Sequence, residues 1–264
     1  MTTQHTFDDL LDIMRKLRAP GGCPWDAEQT HESLTRYLLE ETYEVIEAID
    51  EQSPQHLKEE LGDLLLQPVF HAAIAEEAGS FTMNDVINTL CDKLIRRHPH
   101  VFGDLEIKDS NAQVENWEKI KKLEHGNERP SALSGVPEHL PALLKAHKIS
   151  EKASRVGFDW EHADQVFAKV MEELHEFEEA WAGGDPTRME DEMGDLLFAI
   201  ANLGRFLALN PEEALRKTIS RFQKRFRFVE ESLLKEGKAM QQASLEEMDL
   251  FWEQAKSAER VNNK

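Results

Sequence analysis

Cysteine is nearly absent from this chain: Cys23 and Cys91 are the only two in 264 residues, and no Cys-x-x-Cys spacing occurs. Neither a disulfide framework nor a thiolate zinc site is suggested, and a reducing compartment, the cytoplasm, is the expectation. Long apolar runs are missing too. No stretch approaches the roughly 18 residues a membrane span needs, and Met1 to Leu10 shows no basic segment leading into an apolar one. A soluble protein without a membrane partner is expected. Positive charge is scarce, with 31 Lys and Arg against 51 Asp and Glu, a net charge of −20. Such a surface repels a polyanion, so direct nucleic-acid binding is not expected, and any phosphate substrate must arrive with metal. No Gly-x-x-x-x-Gly-Lys-[Ser/Thr] loop is present to cradle phosphates, which excludes a P-loop enzyme.

Alternating, strand-like segments are scarce as well, whereas apolar residues recur at helical spacing, as in Leu10, Ile13, Met14 and Leu17 or Val86, Leu90 and Leu94. The fold class is all-α. Ser53-Pro54, Asp185-Pro186 and Asn210-Pro211 each set a capping side chain before a proline at the first helical position, and Ser244-x-x-Glu247 forms a capping box. The pattern predicts helices over 7–18, 31–51, 54–78, 83–97, 111–124, 140–154, 162–182, 186–208, 211–235 and 245–260. The stretch His125 to Pro141 gathers Gly126, Pro130, Gly135, Pro137 and Pro141, which marks a linker over 126–141 between domains 1–125 and 142–264.

The most informative feature is a repeat of acids. Glu40-Glu41-x-x-Glu44 followed by Glu60-x-x-Asp63 returns, 132 residues later, as Glu172-Glu173-x-x-Glu176 followed by Glu192-x-x-Asp195. Residues three apart share a helix face, so Glu41 with Glu44, Glu60 with Asp63, Glu173 with Glu176 and Glu192 with Asp195 each aim two carboxylates at one spot. Glu176 lies 8 residues before Gly184 and Glu192 lies 8 after it, so the pairs are level across an antiparallel hairpin. Like charges gathered this way call for a cation. An oxygen-only set without Cys suits Mg²⁺, with Mn²⁺ as a substitute. Gly62 and Gly194 lie inside these helices, where glycine costs about 1 kcal/mol relative to alanine, and a close backbone approach is the expected reason. Glu172-x-x-His175 matches half of a di-iron motif, but Tyr43 holds the His175 position in the first copy and no second suitable Glu-x-x-His lies on the facing helix.

The spacing Glu-Glu-x-x-Glu, then Glu-x-x-Asp, resembles the defining pattern of the MazG family of all-α nucleoside triphosphate pyrophosphohydrolases. The resemblance extends along the whole chain through Gly22-Cys23-Pro24-Trp25-Asp26, Arg96-Arg97-His98-Pro99-His100-Val101-Phe102, Val156-Gly157-Phe158-Asp159-Trp160 and Asp195-Leu196-Leu197-Phe198. It implies two tandem MazG-like domains of four-helix-bundle type, completed by homodimerisation. It further implies Mg²⁺-dependent hydrolysis of nucleoside triphosphates between the α and β phosphates, giving a monophosphate and pyrophosphate. Glu173, Glu176, Glu192 and Asp195 are then the metal ligands, and Glu172 is expected to orient water or a ligand, with direct metal binding as the alternative. Lys169, Arg188, Arg221, Lys224 and Arg225 hold the triphosphate, with Trp252 packing on base or ribose.

Copy 2 is the expected catalytic one. Pro68 falls inside the predicted helix of copy 1, five residues after Asp63, and an internal proline kinks or breaks a helix. Glu40, Glu41, Glu44, Glu60 and Asp63 would then form a weakened or inactive site. Ile219 stands where the family often has asparagine, which leaves a sugar or phosphate contact there undefined. The alternative function is a non-catalytic, divalent-metal-binding helical dimer that acts through protein partners.

Overall fold

The structure is a computed structural model that describes residues 4–109, 112–113, 116–117, 120 and 131–262. Among the described residues it is helical, without strands, and the chain divides into two compact units, Met1–Gly126 and Asn127–Lys264. Of the predicted helix over 111–124 only residues 112–113, 116–117 and 120 are described, and residues 126–130 of the predicted linker lie outside the described residues.

The first unit contains α1 (Phe7–Arg18), α2 (Pro24–Glu28), α3 (His31–Asp50), α4 (Pro54–Glu77), α5 (Met83–Arg97) and α6 (Pro99–Phe102). Thr6 starts α1 through a reciprocal capping box with Asp9, and Thr82 does the same for α5 with Asp85. α3 and α4 form an antiparallel hairpin whose turn is closed by Ser53, which accepts from the His56 amide before Pro54 begins the next helix. Met14, Leu34, Val69, Phe70 and Ala73 fill the core, with Leu10, Tyr37 and Leu66 packed against them. Trp25 from α2 sets its ring edge on Tyr37 at 5.8 Å and on Phe70 at 6.5 Å.

The second unit contains α7 (Ala142–Ser154), α8 (Ala163–Gly183), α9 (Pro186–Phe206), α10 (Pro211–Lys235) and α11 (Leu245–Asn262). α8 and α9 repeat the hairpin. Gly184 ends α8 at φ 71°, a left-handed conformation open to glycine at no steric cost, and Asp185 then caps α9 by accepting from the amides of Thr187 and Arg188. Asn210 caps α10 in the same way, and Ser244 with Glu247 caps α11. Val166, Ala180, Ala199, Ala201, Val229, Leu233 and Ala255 are buried.

Two expectations need correction. α4 runs unbroken through Pro68, which is exposed, so the proline does not end the helix. The carbonyl that loses its partner is that of Leu64, one residue past Asp63, and the acidic segment upstream keeps its helical geometry. The close backbone approach invoked for the helical glycines is also not met within the described chain: a Cβ added at Gly62 or Gly194 would meet open space.

Candidate functional site

The hairpin of the second unit brings its acids into two overlapping groups of three rather than one group of four. Carboxylate oxygens of Glu173, Glu192 and Asp195 lie within 4.8 Å of one another, and so do those of Glu172, Glu173 and Glu176. Glu173 is the hub. It is only 6% exposed, and its Oε2 is buried with no hydrogen-bond partner among the described residues, although leaving a charged oxygen unmatched is expensive. Its Oε1 takes an ion pair from Lys169 at 2.6 Å, and the same ammonium reaches Glu172 at 2.6 Å. Those two carboxylates, Glu172 first, hold the Lys169 pKa above its usual range. Burial, followed by the charge of Glu173, raises that of Glu176.

The donor set fits a divalent cation. Oxygens about 2.1 Å from one small ion stand at most about 4.2 Å apart, so minor side-chain adjustment closes the cluster around it. An orphaned, buried carboxylate oxygen and a lysine ammonium already lodged among the acids both mark a place where positive charge is favoured. If Glu176 is a ligand, proton and cation compete for it. Affinity for Mn²⁺, followed by thermal shift at a series of pH values, should therefore weaken as the pH falls through the raised pKa of Glu176; an affinity indifferent to pH would contradict the assignment. Without metal the sign reverses. A carboxyl whose pKa is higher folded than unfolded burdens the fold when ionised, and that burden is relieved as the pH falls through the folded pKa, fully so below the unfolded one.

Beside the carboxylates opens a cavity of about 350 Å³. Lys169, Glu173 and Asp195 form part of its wall, and the rest is largely apolar: Ile149, Val166, Phe198 and Ala199, with Phe158 and Trp160 from the segment before α8. Buried polar side chains reach it from two helices, Ser150 of α7 and Asn202 of α9. Sequence reasoning singled out Val156-Gly157-Phe158-Asp159-Trp160 as a motif without giving it a role. Asn202 and Ser150 were missed, and the available signal for Asn202 was its place seven residues, two helical turns, beyond Asp195 on the same face.

The predicted cationic residues divide into two groups. Lys169 and Arg188 are at the acids, Arg188 donating to Glu192 and to Glu179, each at 3.4 Å. Arg221, Lys224 and Arg225 lie on α10 and do not line this cavity. Arg225 is paired with Glu259 at 2.6 Å and lies over Trp252, while Arg221 donates to Thr218. Trp252 tilts against Phe222 and lines a different groove, together with Phe226, Val229, Leu245 and Met248.

The first unit reproduces the acids, but among its described residues the positions matching the cavity wall are packed into the core. Glu41, Glu60 and Asp63 converge within 4.8 Å, Glu44 adds its charge to Glu41, and Glu40 is exposed. The 132-residue offset places Leu34, Tyr37, Leu66 and Phe70 at the positions of Val166, Lys169, Phe198 and Asn202. These four are packed together in or against the core of the first unit. Where the second unit has a lysine and an asparagine around an opening, the first has two aromatic rings covered by Trp25. His56 stands at the Arg188 position and bridges Glu51 and Glu60 at 2.9 and 3.0 Å.

Two helical hairpins with converging acids, repeated in tandem, define a class that comparison with known proteins identifies. The MazG nucleotide pyrophosphohydrolase domain matches residues 29–102 and again 162–229, so the chain belongs to the MazG family. It is 51% identical over 255 residues to the nucleoside triphosphate pyrophosphohydrolase/pyrophosphatase MazG of Thermotoga maritima, covering 97% of both chains. The nucleoside triphosphate pyrophosphohydrolase of Escherichia coli K12 is 46% identical over 259 residues, which cover 97% of this chain and 98% of that one. YabN of Bacillus subtilis, an uncharacterised protein, is 48% identical over 257 residues that make up 53% of its length.

Proposed function

We propose that the chain, a MazG-family hydrolase of phosphorus anhydrides, cleaves nucleoside triphosphates between the α and β phosphates in a Mg²⁺-dependent reaction, and that its second unit is the catalytic one. The observation that carries this reading is the buried, half-unpaired Glu173 at the meeting point of the other acids and a base-sized apolar cavity. Glu173, Glu176, Glu192 and Asp195 would hold the cation, which when bound neutralises phosphate charge and makes water a usable nucleophile near neutral pH. Water adds its oxygen at phosphorus as the bridging α–β bond breaks, leaving a monophosphate and pyrophosphate.

The side chains present supply the rest. Lys169 and Arg188 now neutralise carboxylates; once a cation relieves them of that duty, both are free to bind phosphate oxygens. Exposed Glu172, tied to Lys169, orients the attacking water. Phe158 and Trp160 offer aromatic faces to a base. In this reading Arg221, Lys224, Arg225 and Trp252 of the separate groove meet substrate from a second copy of the chain. Apolar side chains left exposed at i, i+4, i+7 spacing on the hairpin, Phe167, Met171 and Leu174 on α8 and Met193, Leu197 and Ile200 on α9, support such a homodimer. We place the protein in the cytoplasm, with nucleoside triphosphates and no nucleic acid as its ligands.

A panel of nucleoside triphosphates incubated with and without metal tests the reading. Turnover is expected with Mg²⁺ or Mn²⁺ and none after chelation; failure to hydrolyse any nucleotide at saturating metal favours the non-catalytic metal-binding dimer.

A further inference from the structure

Asn202 is 5% exposed and lines the cavity, yet among the described residues only one end of its carboxamide has a partner. Its Oδ1 accepts from Nε of Arg205 at 2.8 Å. Because a guanidinium only donates, this contact identifies the oxygen chemically, and the Nδ2 amino group is necessarily the other end. Arg205 is itself fixed. Asp159 accepts from its two terminal nitrogens, at 3.0 Å to Oδ2 and 2.6 Å to Oδ1, a bidentate pair that holds the guanidinium in one plane. The Trp160 amide donates to Oδ1 of the same Asp159 at 2.9 Å, which anchors the loop carrying both cavity residues.

The consequence for Nδ2 is specific. No described residue accepts its hydrogens, and it is not among the enclosed, unpaired polar atoms that include Oε2 of Glu173, so it keeps accessible surface on a residue that lines the cavity. Two of the other polar groups of the wall are already committed. Ser150 donates its hydroxyl hydrogen to the Ala146 carbonyl at 2.9 Å, and Asp159 is held by Arg205 and the Trp160 amide. An oriented donor set in an apolar, aromatic-walled cavity is the arrangement that fixes which ligand fits.

We propose that Asn202 is a specificity-determining residue: its Nδ2, aimed by the Asp159–Arg205 pair, donates to a hydrogen-bond acceptor on the heterocyclic base of the substrate. This rests on the nucleotide reading of the site above. The first unit agrees in the negative, since Phe70 takes the Asn202 position in a packed core and has no donor to offer.

The test compares kcat/KM for nucleoside triphosphates of different bases with that for ribose 5′-triphosphate, which has no base, in the wild-type chain, Asn202→Asp and Asp159→Asn. Asn202→Asp keeps shape and replaces the donor by an acceptor; Asp159→Asn leaves Asn202 in place and loosens its orientation. Loss of a buried donor to the base should lower the ratio of base-bearing to abasic kcat/KM by roughly 10- to 100-fold in Asn202→Asp. The ranking among bases should flatten, and Asp159→Asn should shift the ratio in the same direction by less. A ratio unchanged in both variants, with all substrates slowed equally, would make Asn202 a structural residue and overturn the proposal. Should Asn202→Asp fail to fold, the Asp159→Asn ratio decides alone. A wild-type chain that hydrolyses neither kind of triphosphate removes the function reading itself, whereas an active wild-type chain with unaltered base ranking in the variants removes only this inference.

Discussion

Glu176→Ala or Asp195→Ala should abolish nucleotide hydrolysis while the protein stays folded. Each removes one carboxylate from a cluster whose oxygens lie within 4.8 Å of Glu173, and the remaining acids no longer enclose a cation. Groups that merely orient metal ligands are worth about 10- to 100-fold in affinity or activity when removed, so loss of a ligand should exceed that. Stability should move the other way. Burial and the charge of Glu173 make ionised Glu176 unfavourable in metal-free protein, and alanine relieves that repulsion. Thermal unfolding in chelator should thus be unchanged or raised in Glu176→Ala. The corresponding Glu44→Ala and Asp63→Ala should leave most activity, although Pro68 is not the reason. Copy 1 keeps a continuous α4 and three converging acids, but among its described residues Leu34, Tyr37, Leu66 and Phe70 fill the positions that line the cavity in copy 2. Dead and folded copy 1 variants would contradict the assignment to the second unit.

The second large effect tests that difference from the side of stability. Phe70→Ala should destabilise the first unit by about 3–5 kcal/mol, the usual cost of emptying a buried phenylalanine site. Phe70 is 2% exposed, and it supports Trp25 and packs with Met14, Leu34 and Val69. If the aromatic filling is core, the loss appears in denaturant unfolding of the unit that carries it, and Trp25 fluorescence reports the change. If Phe70 instead covers an adaptable ligand site, truncation should cost under about 1 kcal/mol, as surface substitutions do. The reverse substitution in the second unit would need Asn202 to leave its Arg205 contact.

Most of the architecture was legible in the sequence because its helices announce their ends. Ser53-Pro54, Asp185-Pro186 and Asn210-Pro211 all start helices where the capping rules put them, and α1, α5 and α10 have the predicted bounds. α2 and α6 escaped notice although Pro24 and Pro99 mark their first turns, since helices of five and four residues are too short to show a period. The acids were legible for a local reason: i,i+3 pairs and a hairpin turn depend on one helix pair alone. The cavity was not. It needs α7 and the Phe158–Trp160 segment brought against α8 and α9, and the Asp159–Arg205–Asn202 chain joins residues 46 positions apart. Pro68 misled because propensity speaks for one hydrogen bond, whereas the packed neighbours Val69, Phe70, Ala72 and Ala73 hold the whole helix.

The bond that breaks tests the central claim most directly. With intact protein, Mg²⁺ and a nucleoside triphosphate labelled in the γ phosphate, all label should appear in pyrophosphate, matched mole for mole by unlabelled monophosphate, and none should move once the metal is chelated. Label released as orthophosphate, with a diphosphate left behind, would contradict α–β cleavage and the account built on it.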